Sequence, residues 1–168
     1  MGYQISWLAA KTPKATLLDA LRLTDTGVPD DANEAPFCVA ELPAGWSIVW
    51  SNDMEWATCS LVGNLAATTP VVAFLVGEGI EVSAVTYAGP DGNWHVGHGM
   101  EDDGKLTGEW PAALAKVALA AKSPFDIPID LAFALTGYEY SRFGYEWGEV
   151  RFTAATAADR TGPTAGNR

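Results

Sequence analysis

Residues 71–110 read VVAFLVGEGIEVSAVTYAGPDGNWHVGHGMEDDGKLTGEW, apolar runs broken at short intervals by glycine-rich turns. Val71 to Val76 precedes Gly77-Glu78-Gly79, Ile80 to Tyr87 precedes Ala88-Gly89-Pro90-Asp91-Gly92, and Asn93 to Gly99 precedes Met100-Glu101-Asp102-Asp103-Gly104. β-Branched and aromatic residues in short runs, separated by residues that accept positive φ or fix a turn, favour hairpins over helices. The stretch predicts a strand meander.

Upstream, Tyr3 to Ala9 alternates as a first strand with Tyr3, Ile5 and Trp7 on one face. Thr12-Pro13 then opens a helix, Thr12 as N-cap and Pro13 at the first helical position, with Leu17, Leu18 and Leu21 as its buried stripe and Ala20 at the margin. Residues 24–36 are acidic and rich in turn formers, which predicts an exposed loop. Phe37 to Leu42 and Trp46 to Trp50 form a hairpin around Pro43-Ala44-Gly45, and Met54 to Leu65 follows as a short helix or irregular segment.

Downstream, Pro111 to Lys122 is the strongest helix signal, stopped by Ser123-Pro124. A second helix begins at Pro128 or Ile129 and ends at Thr136, with Gly137 as its stop. The fold class is therefore α+β, a mainly antiparallel sheet in the order β-α-β-β-α-β-β-β-β-α-α with the helices packed on one face. Residues 1–140 are expected to form one domain, 141–154 an aromatic-acidic extension or last strand, and 155–168 a disordered tail.

The 168 residues are 48% hydrophobic with seven tryptophans, a composition that supports a packed core. The formal net charge is −11, and three of the ten basic side chains fall in 151–168. Such a surface repels phosphate backbones and anionic lipid, so neither nucleic acid nor membrane is an expected partner, whereas a basic protein is accommodated. Solubility alone also explains an acidic surface. The opening Met1-Gly2-Tyr3 carries no basic region followed by an apolar core, and Cys38 and Cys59 are too few for a disulfide scaffold. Both are expected to be reduced, half-buried thiols of a cytoplasmic protein.

Several phrases recur in a known setting: Gly2 to Ala9, Glu41-Leu42-Pro43-Ala44-Gly45-Trp46 leading to Trp50-Ser51-Asn52-Asp53, Trp94-His95-Val96-Gly97-His98, and Ala134-Leu135-Thr136-Gly137-Tyr138. Together they resemble a family of small, acidic, uncharacterised bacterial single-domain proteins over about residues 2–140. The resemblance implies no catalytic residue. By composition the chain is also similar to toxin-immunity proteins. The aromatic-acidic segment beyond Tyr138 has no counterpart in that family.

Candidate chemistry is sparse. His95 and His98, followed by Glu101, Asp102 and Asp103, supply ligand types for a divalent ion. On a strand, however, an odd separation sends the two rings to opposite faces. Cys59-Ser60 lacks a nucleophile-elbow context, and Gly77-Glu78-Gly79 lacks the lysine of a phosphate loop. Acidic pairs such as Asp53 with Glu55 or Glu139 with Glu146 are expected by chance among 21 acidic residues.

The segment Tyr138 to Phe152 stands out, because its rings alternate with charges and Tyr, Trp and Arg dominate protein interfaces. The expected binding residues are Tyr138, Tyr140, Arg142, Phe143, Tyr145 and Trp147, with Asp30, Asp31, Asp102 and Asp103 steering association. The competing expectation is an edge strand whose inward rings are core. The sequence thus favours a non-enzymatic protein-binding module of bacterial type, with a basic toxin or effector, or a second copy in a homodimer, as partner and with no cofactor. The alternatives are a small hydrolase or metal-dependent enzyme using His95 and His98, and a homo-oligomeric structural protein.

Overall fold

Residue parity decides which side of the sheet each side chain serves. In the computed structural model, which describes residues 2–99 and 103–158, β1 (Gln4–Ala10) sends Ile5, Trp7 and Ala9 to one core and Leu8 and Ala10 to another. β1 lies mid-sheet, between β4 (Ser47–Ser51) and β5 (Val71–Gly77), where Trp7 is opposite both Trp50 and Phe74. A central strand buried on both faces reads as a continuous apolar run. Val71-Val72-Ala73-Phe74 is such a run in β5, and all four residues are buried.

Among the described residues nine strands form one sheet, paired antiparallel throughout, in the order β2-β9-β3-β4-β1-β5-β6-β7-β8. The α+β class and the meander are as the sequence implied. β6 (Val82–Gly89), β7 (Gly92–His98) and β8 (Leu106–Gly108) follow β5 in order. β3 (Phe37–Glu41) joins β4 through a 3-10 turn at Pro43–Gly45.

The helices occupy both faces, not one. α1 (Lys14–Leu21) buries Leu17 and Leu18 with Leu8, Val39, Val49 and Val71, and α2 (Cys59–Leu65) packs on β5 and β6 over the same side. On the other side α4 (Asp126–Thr136) buries Ile129, Leu131 and Ala132 among Trp7, Phe74, Val85 and Val96. Each buried valine, leucine, isoleucine or phenylalanine side chain contributes about 1.5–3 kcal/mol by leaving water. The expected single layer overlooked the β1 and β5 residues that point away from Trp7 and Phe74, which require a cover of their own.

Local signals shifted at three helices. Helix α1 begins after Pro13, which takes the N-cap position without a side-chain cap, and Ala20 is exposed. The helix expected over 111–122 is a 3-10 turn at Ala112–Leu114 followed by α3 (Ala115–Ala120), with Ala118 buried and Leu119 81% exposed. α4 starts two residues before Pro128, and Gly137 ends it as expected: at φ 72° it takes the left-handed cap, and its N–H donates to the Phe133 carbonyl at 2.7 Å.

The largest difference concerns residues 24–36 and the stretch after 152. β2 (Leu23–Pro29) is a strand where a loop was expected, and β9 (Thr153–Ala157) lies between β2 and β3, so Ala155 to Ala157 are sheet residues where a tail was expected. Edge position explains how Gly27 and Pro29 are tolerated, with the register shifting between Asp25 and Pro29. An ion pair from Lys14 to Asp25 at 2.7 Å ties α1 to this edge. Residues 159–168, the remainder of the expected tail, lie outside the described residues, and no helix among the described residues is long and apolar enough to cross a membrane.

Candidate docking site

The irregular chain between α4 and β9 is pinned at both ends by rings. Tyr138, 4% exposed, sets its ring edge-on to Trp7 at 5.8 Å and to Phe152 at 6.1 Å. Tyr140, 8% exposed, stacks on Phe74 at 5.9 Å and meets Tyr3 edge-on at 5.1 Å. Its hydroxyl donates to Glu78 Oε1 at 2.8 Å, while Glu78 Oε2 accepts the Tyr3 N–H at 3.0 Å. One carboxylate thus joins the first strand, the β5–β6 turn and the aromatic segment. Burial, with the Glu78 carboxylate beside Tyr140, pushes both phenols well above the ordinary tyrosine range.

Between these pins the chain folds outward. The Tyr145 hydroxyl donates to the Glu139 carbonyl and accepts the Glu139 N–H, both at 3.0 Å. Tyr145 and Gly148 exchange backbone hydrogen bonds at 3.0 Å each, closing a tight turn over Glu146 and Trp147. Gly148 sits at φ 117°, a conformation L residues rarely adopt, so the turn depends on glycine. Trp147 stacks on Tyr145 with centroids 4.6 Å apart and planes at 12°. The Arg142 guanidinium lies over the rings of Phe133 and Tyr145 at 5.3 and 5.4 Å. The result is a fixed platform with two rings in water: Phe143 is 83% exposed and Trp147 42%.

The platform adjoins the segment after β2. The Phe152 N–H donates to Asp31 Oδ1 at 3.2 Å, and the Asp30 N–H to the Phe152 carbonyl at 2.9 Å. Asp30 itself is a local hub whose carboxylate accepts the N–H groups of Glu34 and Ala35 at 3.0 and 2.7 Å and faces Cys38 Sγ at 3.2 Å. Those backbone donors, then the thiol, hold its pKa below the usual aspartate value. Cys38 is fully buried where half-burial was expected, and desolvation together with Asp30 pushes its thiol up to about 12, which makes it inert as a nucleophile near neutrality.

A cavity of about 250 Å³ opens between the two segments, lined by Asp31, Asn33, Tyr138, Tyr140, Arg142, Phe143, Glu149, Val150 and Phe152. Of the expected binding residues the structure gathers Asp31, Tyr138, Tyr140, Arg142 and Phe143 here, with Tyr145 and Trp147 on the far side of Arg142. Tyr138 and Tyr140 are core rings and not the exposed anchors expected of them. Asp30 spends its carboxylate on its own loop. Asp103, exposed at φ 54° in the β7–β8 connection, belongs to the opposite edge of the sheet, and Asp102 lies outside the described residues. Asn33, Glu78 and Phe133 were not anticipated, since contact between the 30–35 segment and the 138–152 chain leaves no mark in either stretch alone.

The histidines do not converge. His98 shares the face of Val96, with Nδ1 2.9 Å from the Glu81 carbonyl and its ring edge-on to Phe125. His95 is on the other face, with Nδ1 2.7 Å from Thr86 Oγ1, and desolvation lowers its pKa. Among the described residues no three His, Cys, Asp or Glu side chains are placed to hold one metal ion. Glu101 lies outside them. Comparison of the chain with protein-family models, with curated proteins and with solved structures finds no match.

Proposed function

We propose that the chain is a non-enzymatic protein-binding module that docks its partner on the outward fold of residues 138–152. The observation that carries this is that Phe143, 83% exposed, and the half-exposed Trp147 stand on one loop tied down by Tyr138, Tyr140 and Tyr145. A large ring left in water on a mobile loop costs ordering on binding, whereas rings on a prefixed turn keep most of their contact energy. Trp, Tyr and Arg are the residues from which interface hot spots are built.

Charge suggests the partner's chemistry. Burial first, then the nearby Asp126 and Glu139 carboxylates, raise the Asp130 pKa against the opposing charge of Lys122, and Glu146 and Glu149 flank the Trp147 turn. A basic protein therefore fits best, of the kind exemplified by a cationic toxin or effector held by its immunity partner. Opposite charge accelerates encounter and falls away with salt.

A random peptide library panned on the wild-type chain, with binders re-measured on the Phe143→Ser/Trp147→Ser double variant, tests this reading. Enriched peptides are expected to be basic, to associate more slowly as ionic strength rises, and to bind the variant at least about tenfold more weakly. Binders indifferent to both changes would refute the docking site. Light scattering of the same preparations identifies a second copy of the chain as occupant if wild type is dimeric and the variant is not.

A further inference from the structure

The cavity beside Phe143 has a composition that the docking reading alone does not explain. Its walls are the rings of Tyr138, Tyr140, Phe143 and Phe152 with Val150, and its two carboxylates are Asp31 and Glu149. Asp31 and Glu149 are both exposed, and Asp31 uses Oδ1 on the Phe152 N–H and keeps its other oxygen. Arg142 also lines it, yet its guanidinium is drawn off over Phe133 and Tyr145, which line the neighbouring depression. One polar atom of the lining residues, Asn33 Oδ1, is buried without a hydrogen-bond partner among the described residues.

Buried polar groups without partners cost stability unless something supplies the missing bond. Here that group is an amide oxygen, an acceptor, and it stands with two exposed carboxylates among aromatic faces that attract cations. About 250 Å³ is below the roughly 300–1,000 Å³ typical of sites for drug-sized ligands, and suits one side chain.

We infer that this cavity receives the cationic head of an arginine or lysine side chain presented by the partner. The head lies between the rings, donates to Asp31, Glu149 and the Asn33 amide oxygen, and leaves its aliphatic stem against Val150 and Phe143. This rests on the docking reading and names the residue class that the site selects.

The test titrates the full chain with N-acetyl-arginine-amide, N-acetyl-lysine-amide and the neutral isostere N-acetyl-citrulline-amide at constant ionic strength. Amide and aromatic NMR shifts of Asn33, Phe143, Val150 and Phe152 are followed. At least one basic compound is expected to give saturable shifts confined to these residues, and citrulline to bind at least about tenfold more weakly. The comparison of arginine with lysine decides which head is preferred. Glu149→Gln and Asp31→Asn, the latter keeping an oxygen for the Phe152 N–H, are each expected to weaken binding several-fold with unchanged melting temperature. Absent saturation, equal binding of citrulline, or indifference to both substitutions overturns the proposal. If peptides still require Phe143 and Trp147 while neither basic compound binds, the occupant is wrong and the docking site stands. If a basic compound binds while peptides ignore Phe143 and Trp147, the cavity assignment stands and the docking site falls.

Discussion

Strand β7 and the chain from Tyr138 to Phe152 are both dense in side chains able to do chemistry, yet the first separates them and the second gathers them. In β7 a period of two sends His95 to one face and His98 to the other, where each satisfies a local partner. Between α4 and β9 the backbone is released from any period. Tyr138 and Tyr140 turn inward, Phe143 and Trp147 outward, and Arg142 is clasped between Phe133 and Tyr145. Regular structure fixes where side chains cannot meet, whereas an anchored irregular segment is free to assemble them.

The contrast breaks first at Tyr138. If the segment were an appended arm, truncating this ring would leave the domain unharmed. As a ring packed on Trp7, Phe152 and Tyr145, Tyr138→Ala is expected to cost about 3–5 kcal/mol, read as a lowered urea midpoint. A change under about 1 kcal/mol would place the segment outside the core.

A smaller effect is expected at Asp30, which braces the opposite wall of the cavity. Asp30→Ala removes the acceptor for two N–H groups and a thiol, and is expected to cost about 1–2 kcal/mol at neutral pH. Because its folded pKa lies below the unfolded value of about 3.9, Asp30 contributes stability present above that value and lost as pH falls through the folded one. Denaturant unfolding at pH 7 and pH 3 should therefore show a smaller acid loss in Asp30→Ala than in wild type. Equal losses would mean that the carboxylate is not held by those donors.

The least effect is expected where rings face water. His95→Ala and Phe143→Ser should each change stability by no more than about 0.5 kcal/mol, measured by the same unfolding curves. A large loss at His95 would mean that β7 carries structural weight not visible in its contacts, and a large loss at Phe143 would make that ring a core residue.

The sequence made the meander legible because Gly77 to Gly79, Gly89 to Gly92 and the residues near Gly104 punctuate runs of the right length. It also marked the segment from Tyr138 as unusual. It did not reveal which of its rings turn inward, because without a repeating backbone no parity rule sorts Tyr138 from Phe143. β2 was hidden by its own composition: Thr24-Asp25-Thr26-Gly27-Val28-Pro29 reads as a loop, and is a strand through the partner that Thr153 to Ala157 supplies from the far end of the chain. The cavity was illegible for the same reason, since Asp31 and Asn33 meet Glu149 and Phe152 only after that long-range pairing forms.

The place of β9 also orders events during synthesis. Leu23 faces Ala157 across the sheet, and Phe37 faces Ala155. Until residue 157 has left the ribosome, β3 keeps one raw flank and β2 has no neighbour to join, so a nascent chain offers two open hydrogen-bonding margins to anything nearby. Made after the other eight described strands, β9 is a keystone, and a ribosome stalled shortly before it would leave a chain prone to sticking to its siblings.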